Sequence, residues 1–315
     1  GEFDRVLGSG VVPGSVILLA GEPGVGKSTL LLETVKHWAR RGNTALYITG
    51  EESAGQVRLR AERTDAVHES IFLASETDLA TILGHVDAVR PTLLIVDSVQ
   101  TVVAGGVDGV TGGVTQIRAV TTALVSLAKS RGIAVVLVGH VTKDGNLAGP
   151  RSLEHLVDVV LSFEGDKHST LRMIRGIKNR FGASDEVGCF EQHDDGIHEV
   201  PDPSGIFLHQ RSADVFGSVT MVTMDGKRAL VGEVQALANG DDLHNPRRAV
   251  SGLDAQRIAM ILAVLQANGY PKVGKQEVYV STVGGMKVTE PAVDLAAALA
   301  VASFVKRSPI PQDTV

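Results

Sequence analysis

The strongest chemical signal in the sequence is the stretch Gly21-Glu22-Pro23-Gly24-Val25-Gly26-Lys27-Ser28-Thr29. It satisfies the pattern G-x-x-x-x-G-K-[ST], a loop whose backbone N–H groups cradle a polyphosphate. Lys27 would bring its charge to the β- and γ-phosphates, and the Ser28 hydroxyl would hold Mg²⁺. Gly21, Gly24, Val25, Gly26 and Thr29 complete the cradle, so ATP and Mg²⁺ are the expected ligands. Asp97 closes the apolar run Thr92–Val96, where a carboxylate can bind Mg²⁺ directly or through water. Such an acid is common at strand ends, but beside a phosphate loop on the same sheet edge it becomes a second metal ligand with Ser28.

Hydrolysis also needs a group that orients or deprotonates water. Glu51 and Glu52 follow the strand after the phosphate-loop helix; Glu51 is the expected base and Glu52 the alternate, unless the pair only complements a helix dipole. His140 ends another strand on that edge, either sensing a γ-phosphate or serving as an ordinary cap. Lys178-Asn179-Arg180-Phe181-Gly182 follows the buried-looking strand Leu171–Ile177. It is either a solvated strand end or a pair of cations, Lys178 and Arg180, reaching a neighbouring subunit's γ-phosphate as an arginine finger does. His155 and His168 have no metal-ligand spacing and read as structural or surface residues.

The elements that must position these residues alternate between strand and helix. Ser15–Ala20 reads as a buried strand and Thr29–Arg40 as a helix, with residues 4–14 a glycine-bearing turn ahead of them. Strands at Thr44–Thr49, Ile71–Leu73, Thr92–Asp97 and Ile133–Val138 alternate with helices at Ala54–Arg63, Thr77–Val89 and Gln116–Ser130. The alternation predicts a parallel-rich α/β sheet wrapped by helices. From about residue 156 the pattern changes to strands joined by tight turns. Pro201-Asp202-Pro203-Ser204-Gly205 is the best break, so two domains are expected, 1–212 and 213–315. The second holds a hairpin about Asp225-Gly226, a helix over Asp254–Asn268, a strand over Val278–Val283 and an alanine-rich helix over Val293–Val305.

The 315 residues are 43% hydrophobic and 21% charged, enough to bury a full core. Aromatics are scarce at 4%, as suits a parallel sheet rich in Val, Ala and Gly. The single cysteine, Cys189, excludes an internal disulfide and any multi-cysteine zinc site within this chain, and a reducing cytoplasm fits. No signal-peptide pattern and no membrane-spanning run is present. With a net charge of −6, any nucleic acid must be held by local basic loops.

Taken together, the phosphate loop, Tyr47–Ser53, Leu94–Thr101 and Lys178–Gly182 resemble, in order, the motifs of the bacterial RadA (Sms) family. The last of these segments is specific to that family. The resemblance covers essentially the whole chain. It implies a RecA-like P-loop ATPase core, assembled as a hexameric ring on single-stranded DNA. It also implies action on branched DNA intermediates, in branch migration alongside the RecA recombinase. The loops 103–115 and 142–152, with Lys143 and Arg151, fall where RecA-like proteins place DNA-binding loops. The C-terminal part resembles a partial α+β Lon-protease-like domain. Glu290-Pro291-Ala292-Val293-Asp294 lies where Lon carries its nucleophilic serine, and Ala292 has no hydroxyl, so peptidase activity is not expected. The family also carries an N-terminal four-cysteine zinc module, absent from the sequence before Cys189, and a longer Lon-like domain than this chain, which ends at Val315. The competing reading is a nucleotide-switched signalling or clock-type ATPase on the same core, without DNA motor activity.

Overall fold

The computed structural model describes residues 1–8, 10–141, 150–166, 168–208, 215–311 and 314, without the side chains of residues 150 and 151. The first part of the chain runs α1 (Glu2–Leu7), β1 (Val16–Gly21), α2 (Lys27–Arg40), β2 (Ala45–Thr49), α3 (Ala54–Arg63) and β3 (Ile71–Ser75). It continues through α4 (Leu79–Val89), β4 (Leu93–Asp97), α5 (Val114–Arg131), β5 (Ala134–His140) and α6 (Pro150–Leu153). Strands β6 (Val159–Gly165), β7 (Leu171–Asn179), β8 (Val187–His193) and β9 (Gly196–Glu199) complete it.

Strand β1 is apolar at nearly every position because the sheet is covered on both faces. Ile17 and Leu19 enter one core with Leu31, Leu32 and Val35 of α2; Val16 and Leu18 enter the other with Val120 and Leu124 of α5. Leu18 is fully buried, and Leu18→Ala would cost about 2–5 kcal/mol through lost transfer energy and the cavity left behind. Among the described residues the sheet has the order β3-β2-β4-β5-β1-β6-β7-β8-β9. β1 to β6 are mutually parallel, and β6 to β9 pair antiparallel as the change of pattern near residue 156 requires.

The expected helix over Ala54–Arg63 is present with Ser53 as its cap: Ser53 Oγ accepts from Gln56 N, and Gln56 reaches back to Ser53 N. Two expectations need correction. Residues 4–14 are not simply a turn, because Glu2–Leu7 forms α1, too short for its periodicity to register in the sequence. Val6 and Leu7 of α1 are buried, and Glu2 Oε2 accepts from Cys189 N at 3.0 Å. The phosphate-loop helix begins at Lys27, two residues earlier than its apolar pattern, which puts Lys27 and Ser28 in its first turn.

The chain divides into two units, Gly1–Pro201 and Asp202–Val315; the boundary expected at 212/213 lies outside the described residues. The second unit contains α7 (Ser204–Phe207), β10 (Ser218–Asp225), β11 (Arg228–Asn239), β12 (Arg248–Ser251), α8 (Ala255–Ala267), β13 (Glu277–Thr282) and α9 (Val293–Lys306). Its mixed sheet has the order β10-β11-β13-β12, with β12 parallel to β13 and the other pairs antiparallel. Strand β12 was not expected, since Arg-Ala-Val-Ser carries no strand signal by itself. Ala296, Ala297 and Ala300 are buried on α9, small enough for that helix to pack closely on β10 and β11.

Candidate active site

Four parallel strands deliver their C-terminal ends to one place. Gly21 at the end of β1 pairs with His140 at the end of β5, Val96 of β4 pairs with Leu137 of β5, and Thr49 of β2 pairs with Asp97 of β4. The loop from Gly21 to Lys27 crosses this edge. Gly24 (φ 77°) and Gly26 (φ 108°) hold the left-handed conformation that glycine adopts without a Cβ penalty. Gly21 is required for a different reason: a Cβ there would lie 2.6 Å from Phe163 O on β6.

Lys27 is 4% exposed, and its Nζ donates to Gly21 O and Glu22 O, each at 2.7 Å. Burial pulls the ammonium down to about 8, against the opposing charges of Asp97, Glu51 and Glu22. A bound polyphosphate would favour the charged form. Ser28 Oγ donates to Asp97 Oδ2 at 2.8 Å, and Tyr47 OH donates to the same oxygen at 2.8 Å. Asp97 is 7% exposed. Burial first, then the charge of Asp97, holds the Tyr47 hydroxyl protonated far above its usual range, so it remains a donor. Tyr47 was not singled out in the sequence, although a phenol within an apolar strand must find a partner when buried.

Glu51 Oε1 accepts from Ser98 Oγ at 2.8 Å and from His140 Nε2 at 2.5 Å. An ionised carboxylate only accepts, so His140 carries its proton on Nε2; its Nδ1 is buried and has no partner among the described residues. The bond from His140 is the leading cause that holds Glu51 below the usual carboxylate range, with Ser98 adding to it and burial opposing. One ligand atom each from Glu51, Asp97 and His140 lie within 4.8 Å of one another. The set joins a cation, hard oxygen donors and a carboxylate held in its ionised form, which suits phosphate binding and water activation.

Glu52 does not join this group. Arg60 NH2 donates to Glu52 Oε1 at 2.6 Å and to Oε2 at 2.8 Å, which ties that carboxylate to α3. Lys178 and Arg180 also lie elsewhere. Lys178 Nζ donates to Glu154 O at 2.6 Å and Val157 O at 2.9 Å, and Arg180 NH1 donates to Asp158 Oδ1 at 2.7 Å. Asn179 pairs with Val159, which pairs with Ile17 near the start of β1, whereas Gly21 pairs with Phe163. The two cations therefore stand at the opposite edge of the sheet from their own phosphate loop, about 13 Å along the strands at roughly 3.3 Å per residue. Lys143 lies outside the described residues, and Arg151 falls in α6 with its side chain also outside them.

The sheet order and this edge define a P-loop protein of the AAA/RecA-like type, and a family model described as an AAA domain matches residues 4–146. The chain is 61% identical over 306 residues to the DNA repair protein RadA of Mycolicibacterium smegmatis, covering 96% of this chain and 66% of that protein. It is 58% identical over 316 residues to the DNA repair protein RadA of Mycobacterium tuberculosis, covering 100% and 66%. The DNA repair protein RadA of Streptococcus pneumoniae is 47% identical over 308 residues, covering 98% of this chain and 73% of that protein. This chain belongs to the RadA family. It spans 66% of the length of its mycobacterial relatives. Among the described residues no helix is long and apolar enough to cross a membrane.

Proposed function

We propose that this chain is the ATP-hydrolysing part of a DNA repair and recombination protein, a hexameric ring on single-stranded DNA that drives branch migration alongside the RecA recombinase. The observation that carries the reading is the convergence of Lys27, Ser28, Asp97, Glu51 and His140 at one sheet edge. Lys27 and the loop N–H groups bind the β- and γ-phosphates. Ser28 Oγ and Asp97 Oδ2, 2.8 Å apart, are two hard oxygens suited to Mg²⁺, which when bound neutralises charge on the phosphates. Glu51 takes the proton of the attacking water as the oxygen–γ-phosphorus bond forms and the bond to the ADP leaving oxygen breaks. Ser98 and His140 hold Glu51 ionised and aimed, and Glu52, paired with Arg60, is not the base.

Lys178 and Arg180, remote from their own phosphate loop, act on the γ-phosphate of a neighbouring subunit. The glycine-rich loop 103–115 and the segment 142–152, with Lys143 and Arg151, contact DNA. The RadA name of the relatives supports DNA repair as the setting. The second unit, with Ala292 at the N-cap of α9, is a scaffold or DNA-contacting module and not a peptidase. The test is the ATPase rate with and without single-stranded DNA. Stimulation by DNA that disappears in Lys27→Ala is expected. Hydrolysis indifferent to DNA would leave a nucleotide-switched ATPase without motor activity.

A further inference from the structure

Next to the phosphate loop, and apart from the residues that meet phosphate or water, lies a buried cation that no motif marks. Arg172, near the start of β7, is 9% exposed. Its Nε donates to Val25 O of the phosphate loop at 2.8 Å. Its NH1 donates to Ser169 O at 2.6 Å and Asp166 O at 3.3 Å, on the connection between β6 and β7, and to Leu171 O at 2.8 Å at the first residue of β7. A guanidinium is donor-only and keeps its charge, so one buried this deeply must be surrounded by acceptors, and here they are backbone carbonyls from two separate segments. The adjoining strand leaves room for it: a Cβ on Gly165 would lie 2.3 Å from Arg172 Cδ. Strand β8 supports the loop from the same side, since a Cβ on Gly26 would lie 2.5 Å from Gln192 Oε1.

We propose that Arg172 is a positioning residue for nucleotide binding, a staple that sets the shape of the phosphate loop from outside. The Val25–Gly26 peptide is planar and trans, so its C=O and N–H point in opposite directions. With Val25 O held by Arg172, the Gly26 N–H is aimed away from β7. Lys27 meanwhile holds Gly21 O and Glu22 O. Two cations thus occupy the loop's carbonyls and so orient its peptide units for an anion. The charge of Arg172 alone is not sufficient for this. The planar fork spans Val25 and the β6–β7 connection at once, which a lysine ammonium on its flexible stem does not reproduce.

This inference rests on the reading of the loop as a nucleotide site, and its test keeps the two apart. The affinity of the full chain for a fluorescent ADP analogue is measured for the wild type, Lys27→Ala, Arg172→Gln and Arg172→Lys, with a thermal melt of each and with kcat and KM for ATP. The expected result for Arg172→Gln is a Kd raised about tenfold or more, as for loss of a buried charged hydrogen bond. KM should rise in parallel while kcat at saturation changes little, since the loop holds ground and transition states alike. Arg172→Lys should recover less than half of that loss on a logarithmic scale. A Kd unchanged in Arg172→Gln, in an assay where Lys27→Ala loses binding, overturns the role of Arg172 and leaves the nucleotide site intact. Full recovery by Arg172→Lys overturns the staple in favour of simple charge. No binding by the wild type overturns both readings. Should Arg172→Gln fail to fold, Gly165→Ala displaces the same side chain while keeping its charge; a raised Kd supports the staple and an unchanged one overturns it.

Discussion

Lys27 is held in a site that disfavours its own charge, and this makes a measurable prediction. Its ammonium is pulled down to about 8, so above that pH Lys27 of the free site is largely neutral, while a polyphosphate favours the charged form. Binding of ADP at about pH 8.5 should therefore take up protons, and affinity should fall as pH rises through this range. Calorimetry in buffers of different ionisation enthalpy reads the uptake directly, and Lys27→Ala should abolish it; equal apparent enthalpies in all buffers would refute the shift. The adjacent glutamates give a second residue-scale prediction. Glu51→Gln should retain nucleotide and lose hydrolysis, by about 10² or more if it is the general base. Glu52→Gln should leave turnover within a few fold and instead weaken the tie to the last turn of α3, where Arg60 is its partner. Reversed phenotypes in a steady-state ATPase assay would exchange the two roles. Sequence alone put Glu51 ahead of Glu52 but showed no contact that separates these neighbours. Their backbone positions differ by one residue, but Glu51 meets residues 98 and 140, whereas Glu52 meets Arg60, eight residues away on the next helix.

At the scale of elements, strands buried on both faces were legible because each is a continuous apolar run, and helices because caps such as Ser53 and Asp254 mark their starts. Short elements were not. α1 and β12 hold their form through the strands beside them, not through a pattern of their own. The glycine-rich segment ahead of α5 also proved anchored at its base. Buried Gln116 donates to Ala104 O and Val107 O and accepts from Ala104 N, while Val110 remains exposed. If this loop and the segment carrying Lys143 and Arg151 meet DNA, the cations supply the salt dependence, because the chain as a whole is acidic. Lys143→Ala with Arg151→Ala should weaken single-stranded DNA binding and lower the slope of log K against log salt by about 0.7 for each phosphate no longer neutralised. An unchanged slope in a fluorescence titration would assign DNA binding to other residues.

For the whole molecule, the important geometry is the separation of Lys178 and Arg180 from their own phosphate loop. β7 carries Arg172 beside that loop at one end and the Lys178–Arg180 pair at the other, so a single strand spans the sheet between them. If the pair completes a neighbour's site, Arg180→Ala should keep nucleotide binding and lose hydrolysis, by about 10³ or more for a full arginine finger. Mixing Lys27→Ala subunits with Arg180→Ala subunits should then restore part of the rate, because some interfaces join an intact loop to an intact cation. Mixed rings verified by mass and still inactive would assign Lys178 and Arg180 to the structure they now hold, the carbonyls of Glu154 and Val157 and the carboxylate of Asp158.

The phosphate loop, the strand-terminal acid Asp97 and the alternation of strand and helix were legible in the chain's residues alone, since each is local: a spacing of glycines, a hydrophobic period, a cap. Which carboxylate faces Asp97, how Tyr47 and Ser98 brace the site, and how Arg172 grips the loop from β7 emerge from the folded chain. Those are interactions between segments as far apart as residues 25 and 172, and they depend on strand order and register, which no local pattern encodes.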